Sequence, residues 1–182
     1  ILPNAPSKWL ISQIKRSFSQ HTNDITIVRT GQLGKSQCIK ELIEAFSYLK
    51  NGDNLKLLLI GFGTEDEIKF TKNLIKRYGV EEKTILKFNL KRKEVLTHLQ
   101  NASIGIATYM EYITYVLPAS MKVGEYIAFG IPVITNKTKT WLNLNRLYPA
   151  FTFVDKCSPL DIKQSIEELT DNPAVLEKMS LN

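Results

Sequence analysis

The sequence predicts an α/β domain with a Rossmann-like, open, doubly wound parallel sheet of about six strands. Three observations point there. Short aliphatic or β-branched runs recur along the chain, stretches with apolar residues at helical spacing lie between them, and glycines stand at the junctions. A parallel pair of strands needs a crossover, and a helix supplies it, so strand, helix and strand in repetition imply a sheet covered on both faces. With 182 residues, 43% of them apolar, the chain can build one such core.

Residues 1–24 stand apart from this alternation. Pro3, Asn4 and Pro6 punctuate a linker, and residues 7–19 have helical spacing. We expect 1–24 to be an interdomain linker with an N-terminal helix and 25–182 to be the ligand-binding domain. A first residue other than Met is expected of a piece whose partner half lies upstream. The expected strands are 25–29, 55–60, 84–88, 103–107, 132–135 and, as a sixth, 151–154. Ile39, Leu42, Ile43, Phe46 and Leu49 repeat at offsets of three and four, which puts all five on one face of a helix. Further helices are expected at 66–78, 91–100, 122–129 and 159–170. Gly79 suits a left-handed cap, and Gly130 with Pro132 closes the helix before the fifth strand.

Lys and Arg number 24 against 18 Asp and Glu, a net charge of +6 that favours anionic partners without choosing among phosphates, nucleic acid and a membrane surface. No apolar run is long enough to span a membrane, and the start ILPNAPSKW has none of the parts of a secretion signal. Cys38 and Cys157 have no His or Cys neighbours at metal spacing, so they are expected to be buried free thiols in a reducing cytosol rather than a disulfide or a zinc site. Lys87, Lys91, Arg92 and Lys93 form a basic cluster. Only Phe88 is interleaved with it, too little stacking surface for nucleic acid, so a solvated face is expected, with contact to a base or phosphate as the lesser alternative. His21 and His98 have no partner at a catalytic spacing.

Ligands of open parallel sheets bind beyond the carboxyl ends of the strands, where helix N-termini offer unpaired N–H groups to anions. Three segments could converge there. The loop Thr30, Gly31, Gln32, Leu33, Gly34, Lys35, Ser36 ends like a P-loop but has Arg29 where the first glycine belongs, and no Walker-B-like aspartate follows. Ile60, Gly61, Phe62, Gly63, Thr64, Glu65 lacks the third glycine of the dinucleotide fingerprint and a later acidic residue for the ribose; a tight turn with Thr64 as cap explains it equally well. The third segment opens a helix with Pro118 and Ser120, so the N–H groups of Ser120 and Met121 would face a diphosphate with Lys122 beside them. Glu125 lies one turn deeper in a largely apolar helix, where a carboxylate needs a partner. A ribose diol is one candidate, and a nearby Lys or Arg or plain solvent is the other.

The run Glu125, Tyr126, Ile127, Ala128, Phe129, Gly130, Ile131, Pro132, Val133, Ile134 resembles the E-Y-x-A-x-G-x-P-V-I signature of GT-B glycosyltransferases, in particular the family-four-like group (glycosyl transferases group 1). LPNAP, the loop from Gly31 to Lys35 with IKELIEAF, then LKLLLIGFGTE, ILKFNL and VLTHLQNASIGIA precede it in the order this family shows. The resemblance spans residues 1 to about 155 and covers the C-terminal, donor-binding half of a GT-B architecture.

The resemblance implies a hexosyltransferase-type enzyme that transfers sugar from a nucleotide-diphosphate sugar to a carbohydrate or lipid-linked acceptor, in glycan or glycolipid synthesis. Gly31, Gly34, Gly61, Gly63, Asn89, Ser120, Met121 and Glu125 are implied as donor-binding, with Glu125 on the ribose and the Ser120 and Met121 amides on the diphosphate. Lys35 and Lys122 are implied as the catalytic cations. The first glutamate of the family's E-x7-E motif falls on Leu117, and P-x-x-x-K-x-x-E-Y describes this helix instead. The cationic pair of the family's first loop falls near Gln32 and Gln37. Glu111 is a candidate substitute for the missing carboxylate, against a solvated loop residue. No metal, cofactor or nucleic acid is expected, an N-terminal acceptor domain is, and the fragment is expected to be inactive alone. The expected location is the cytoplasm, with contact to the inner face of a membrane through the other half kept open. The alternative is a noncatalytic Rossmann-like module that binds a nucleotide or another protein.

Overall fold

A computed structural model describes residues 12, 24–34, 37–49, 54–114 and 120–180. The expected linker and N-terminal helix lie outside them apart from Ser12 and Asp24, as do Lys35, Ser36, Leu117 and Pro118. Six strands, β1 (Ile25–Gln32), β2 (Leu55–Phe62), β3 (Thr84–Phe88), β4 (Ile104–Ala107), β5 (Val133–Asn136) and β6 (Phe151–Val154), form one sheet in the order β3-β2-β1-β4-β5-β6. Every pairing is parallel. β1 and β2 stay in register from Ile25 opposite Leu55 to Gln32 opposite Phe62, so both run past the apolar stretch that marks them in the sequence. The chain grows outward from β1 through β2 to β3, then returns to place β4 on β1's other side. That reversal opens a crevice at the carboxyl ends of β1 and β4.

The helices are α1 (Ile39–Ser47), α2 (Glu65–Arg77), α3 (Arg92–Gln100), the one-turn α4 (Glu111–Thr114), α5 (Met121–Ala128), α6 (Lys139–Leu147), α7 (Pro159–Thr170) and α8 (Pro173–Ser180). Successive strand side chains point to opposite faces, and two cores follow. Ile27, Leu57, Leu59 and Ile104 pack with α1, α2 and α7, while Val28, Leu58 and Ile60 pack with Leu96 and Leu99 of α3 and Val123 of α5. Each fully buried aliphatic side chain contributes on the order of 1.5–3 kcal/mol, so α1, which buries Ile39, Leu42, Ile43 and Phe46, is anchored chiefly by packing.

Helix ends follow local chemistry. Thr64 and Glu67 close a reciprocal capping box on α2, and the Ser158 hydroxyl accepts from the Asp161 N–H at the start of α7. Gly79 and Gly130 adopt the left-handed backbone expected of them, with φ of 64° and 62°. α4, α6 and α8 are additions to the sequence expectation: α4 is a single turn, α6 buries only Trp141 and α8 no residue fully, so their apolar periodicity is faint. Gly105 of β4 has a role that the sequence leaves silent, because a Cβ there would run into the Tyr126 ring.

The expectation of free thiols is overturned. α1 packs beside α7, and this brings Cys38 and Cys157, 119 residues apart in sequence, into a disulfide with a Cα–Cα distance of 6.4 Å. Chain spacing held no sign of that meeting. Among the described residues, no helix is long and apolar enough to cross a membrane.

Candidate functional site

A cavity of about 560 Å3 opens at the carboxyl ends of β1 and β2 and reaches the N-terminus of α5. Its walls bring together Gly31, Gly61, Asn89, Ser120, Met121, Lys122 and Glu125, seven of the positions singled out from the sequence. Gly34 and Gly63 are not on its wall: a Cβ on either would crowd the carboxylate of Glu67, at 2.7 and 2.8 Å, so their small size makes room for the α2 capping box. Glu111 is exposed on α4 and does not line the cavity, and Lys35 lies outside the described residues.

The frame of the site is a set of buried hydrogen bonds. Tyr126, fully buried, has its hydroxyl at the end of β1, where it accepts from the Thr30 N–H at 2.8 Å and shares a hydrogen bond with the Thr30 hydroxyl at 3.1 Å. Burial pushes its phenol up to about 12. This clamp fixes α5 against β1, and the neighbouring residue, Glu125, faces the cavity. Tyr109, just beyond β4, is held from two sides. Its N–H donates to Asn136 Oδ1 at 2.7 Å, its carbonyl accepts from Asn136 Nδ2 at 3.1 Å, and its hydroxyl shares a hydrogen bond with the Ser120 hydroxyl at 2.6 Å.

Two cations meet on this frame. Arg29, fully buried, donates from Nη1 to the Thr30 carbonyl at 3.3 Å and from Nη2 to the carbonyl and Oε1 of Gln37 at 3.1 and 2.8 Å. Its Nε is buried without a partner among the described residues. Lys122 donates from Nζ to the same Gln37 Oε1, at 3.3 Å. It gets there past Gly31, whose φ is 104° and whose absent Cβ would lie 3.1 Å from Nζ. Both cations stand over the Tyr109 ring, 5.9 Å for the guanidinium and 5.2 Å for the ammonium. Neither makes an ion pair among the described residues. Burial lowers the pKa of both; for Lys122 it falls well below the usual lysine range, with Arg29 adding to the drop and Glu125 opposing it.

Among the described residues, Glu125 is the one carboxylate on the cavity wall. Its Oε1 accepts from Arg92 Nη2 at 2.7 Å, and its side chain is 13% exposed. The local partner left open by the sequence is therefore Arg92, drawn from the basic cluster and exposed like its neighbours Lys91 and Lys93. A lone carboxylate is a poor donor set for a hard dication, which takes six or more oxygens. What the wall offers is concentrated positive charge, oriented N–H groups and an acid at the rim, an arrangement suited to a polyanion with a hydroxylated appendage.

Sequence reasoning missed Arg29, Gln37, Tyr109 and Arg92. A signal existed for Arg29, since a charged residue inside the strand run ITIVRT is seldom buried without a purpose. None existed for Tyr109, which is placed by Asn136 from another strand.

The chain matches the family model described as Glycosyl transferases group 1 over residues 11–182. No curated protein matches it. Solved structures share its fold. The C-terminal domain of a glycosyl transferase group 1 family protein (LpcC) from Francisella tularensis is 17% identical, with 94% of this chain and 92% of that one covered and a TM-score of 0.74. Sucrose-phosphate synthase from Thermosynechococcus elongatus is 16% identical over 97% of this chain and 42% of its own, with a TM-score of 0.71. Anabaena HepE in complex with UDP and glucose is 17% identical over 98% and 47%, with a TM-score of 0.68. The chain thus spans less than half the length of the latter two proteins.

Proposed function

Because the chain belongs to the glycosyl transferases group 1, we propose that its cavity binds the donor, a nucleotide-diphosphate sugar, for transfer of the sugar to a carbohydrate or lipid-linked acceptor. The observation that carries this is the pair Arg29 and Lys122, one fully and one half buried, that share Gln37 and the Tyr109 ring and make no ion pair among the described residues. Like charges held that close and partly out of water lose stability unless an anion joins them. A diphosphate is such an anion.

In this arrangement the amides of Ser120 and Met121, at the positive end of α5, and the Lys122 ammonium meet the diphosphate. Arg29 lies beneath as a permanent charge that also holds Gln37 in place. Glu125 keeps Oε1 on Arg92 and offers its other oxygen to the ribose hydroxyls, and the Asn89 side of the cavity faces the base. As the bond to the sugar breaks, negative charge collects on the departing diphosphate, and cations already in place stabilise it without reorganising. Lys122 is the described cation that would touch that leaving group, and Lys35 would join it from the first loop. No metal is needed for this charge balance. The acceptor would sit on an N-terminal domain preceding the expected linker at residues 1–24, and Anabaena HepE, similar in fold, is in complex with UDP and glucose.

Calorimetry with uridine, guanosine and adenosine diphosphates tests the reading. One of them is expected to bind, with affinity lost by about 10- to 100-fold in Lys122→Met, as removal of a charged hydrogen bond of about 1.5–3 kcal/mol requires. Absence of binding by all three, or full affinity in the variant, refutes it. Tight binding with no transfer once the acceptor half is supplied would favour the noncatalytic module instead.

A further inference from the structure

A second polar cluster lies where the N-termini of α1 and α7 meet. Cys38, the residue before α1, is fully buried with a left-handed φ of 52°. Cys157, half-buried against the same apolar core, stands just ahead of Ser158, the N-cap of α7. Glu41 adds a carboxylate from the first turn of α1. One ligand atom from each of Cys38, Glu41 and Cys157 lies within 4.8 Å of the other two. Glu41 Oε2 is buried and has no hydrogen-bond partner among the described residues. The disulfide does not account for that oxygen, because a disulfide has no proton to donate, and a carboxylate oxygen out of water is costly without a donor or a cation.

We propose that with the Cys38–Cys157 bond reduced, Cys38, Cys157 and Glu41 bind a borderline-soft divalent metal of the zinc class. Two sulfurs and one carboxylate oxygen are a donor set for Zn2+ or Co2+, with water in the fourth position, and not for magnesium or calcium, which require oxygen shells. Ligands at about 2.0–2.3 Å from one tetrahedral ion lie some 3.5–4 Å apart, within the 4.8 Å that contains these three atoms. Ion and disulfide use the same sulfurs and exclude one another. Reduction takes two electrons and two protons from an external dithiol, which leaves as its own disulfide; the metal then displaces two protons from the thiols. Either link ties α1 to α7 and steadies Gln37, the neighbour of Cys38.

The test uses the whole chain, reduced with dithiothreitol, desalted anaerobically and titrated with Co2+. One equivalent is expected to bind with a thiolate-to-cobalt charge-transfer band, to be displaced by Zn2+ and to be absent from the oxidised protein. Cys157→Ser should abolish the band, and Glu41→Gln should weaken binding by about tenfold or more, at least what an outer-shell partner is worth. Reduced protein with two titratable thiols that binds neither ion stoichiometrically overturns the proposal. So does undiminished binding in Cys157→Ser. Should that variant fail to fold by circular dichroism, Glu41→Gln decides: unchanged cobalt affinity and spectrum overturn the three-ligand site.

Discussion

Two charged clusters of this molecule have opposite electrostatic character. On the outer face of α1, Glu44 accepts from the Tyr78 hydroxyl at 2.7 Å, from Lys40 at 2.9 Å and from the Tyr48 hydroxyl at 2.8 Å. These partners, the Tyr78 hydrogen bond first, hold its carboxyl down at about 2. At the cavity, Arg29 and Lys122 donate only to neutral acceptors, Glu125 offsets just part of the burden on Lys122, and both are pushed toward losing their protons. In the first cluster each charge is answered within the fold. In the second, positive charge is left over, and that surplus distinguishes a place prepared for a ligand from one that serves the scaffold.

The largest effect expected from this contrast is a split between binding and stability. Lys122→Met should cost the 10- to 100-fold in nucleoside-diphosphate affinity given above while leaving the thermal midpoint equal or higher, because an apolar side chain of similar length replaces a half-buried charge that makes no ion pair among the described residues. A midpoint lowered by several degrees would make Lys122 a structural residue like those around Glu44. Next in size, Glu125→Ala should weaken nucleoside diphosphate by about tenfold, the worth of one charged hydrogen bond, and leave inorganic pyrophosphate unaffected. Equal losses for both ligands would remove Glu125 from the ribose.

Proton linkage sharpens the comparison further. The lowered Lys122 pKa rises when an anion arrives, so binding takes up a proton. Affinity should be highest below the free-state pKa and fall as pH climbs from there to the bound-state pKa; Lys122→Met should be flat across that window. Smallest is the effect at the answered cluster. Glu44 is depressed in the fold from its ordinary 4.5 to about 2, so its contribution to stability is present above 4.5 and is lost as pH falls between those values. Glu44→Gln should flatten that acid limb of a denaturation series, with no change in nucleotide binding.

Much of this was legible in the chain. Alternating strand and helix periodicities located all six strands and five of the helices, and the Glu125 to Ile134 run marked the helix that meets the cavity. Legibility failed where the signal was non-local. α6 rests on the single buried Trp141, Arg92 looked like part of a solvated basic face until α3 carried it to Glu125, and Cys38 met Cys157 only because α1 packs on α7.

By itself, then, the sequence determined what depends on neighbours along the chain: periodicity sets element type, Thr64, Ser158, Gly79 and Gly130 set where helices start and stop, and the parallel sheet follows from their alternation. Tertiary structure alone decided which charges find partners. A side chain's electrostatic surroundings are set within a few ångströms of space, and the groups within that distance of Arg29, Gln37 on one loop, Tyr109 beyond β4 and Lys122 on α5, come from parts of the chain that no spacing rule connects.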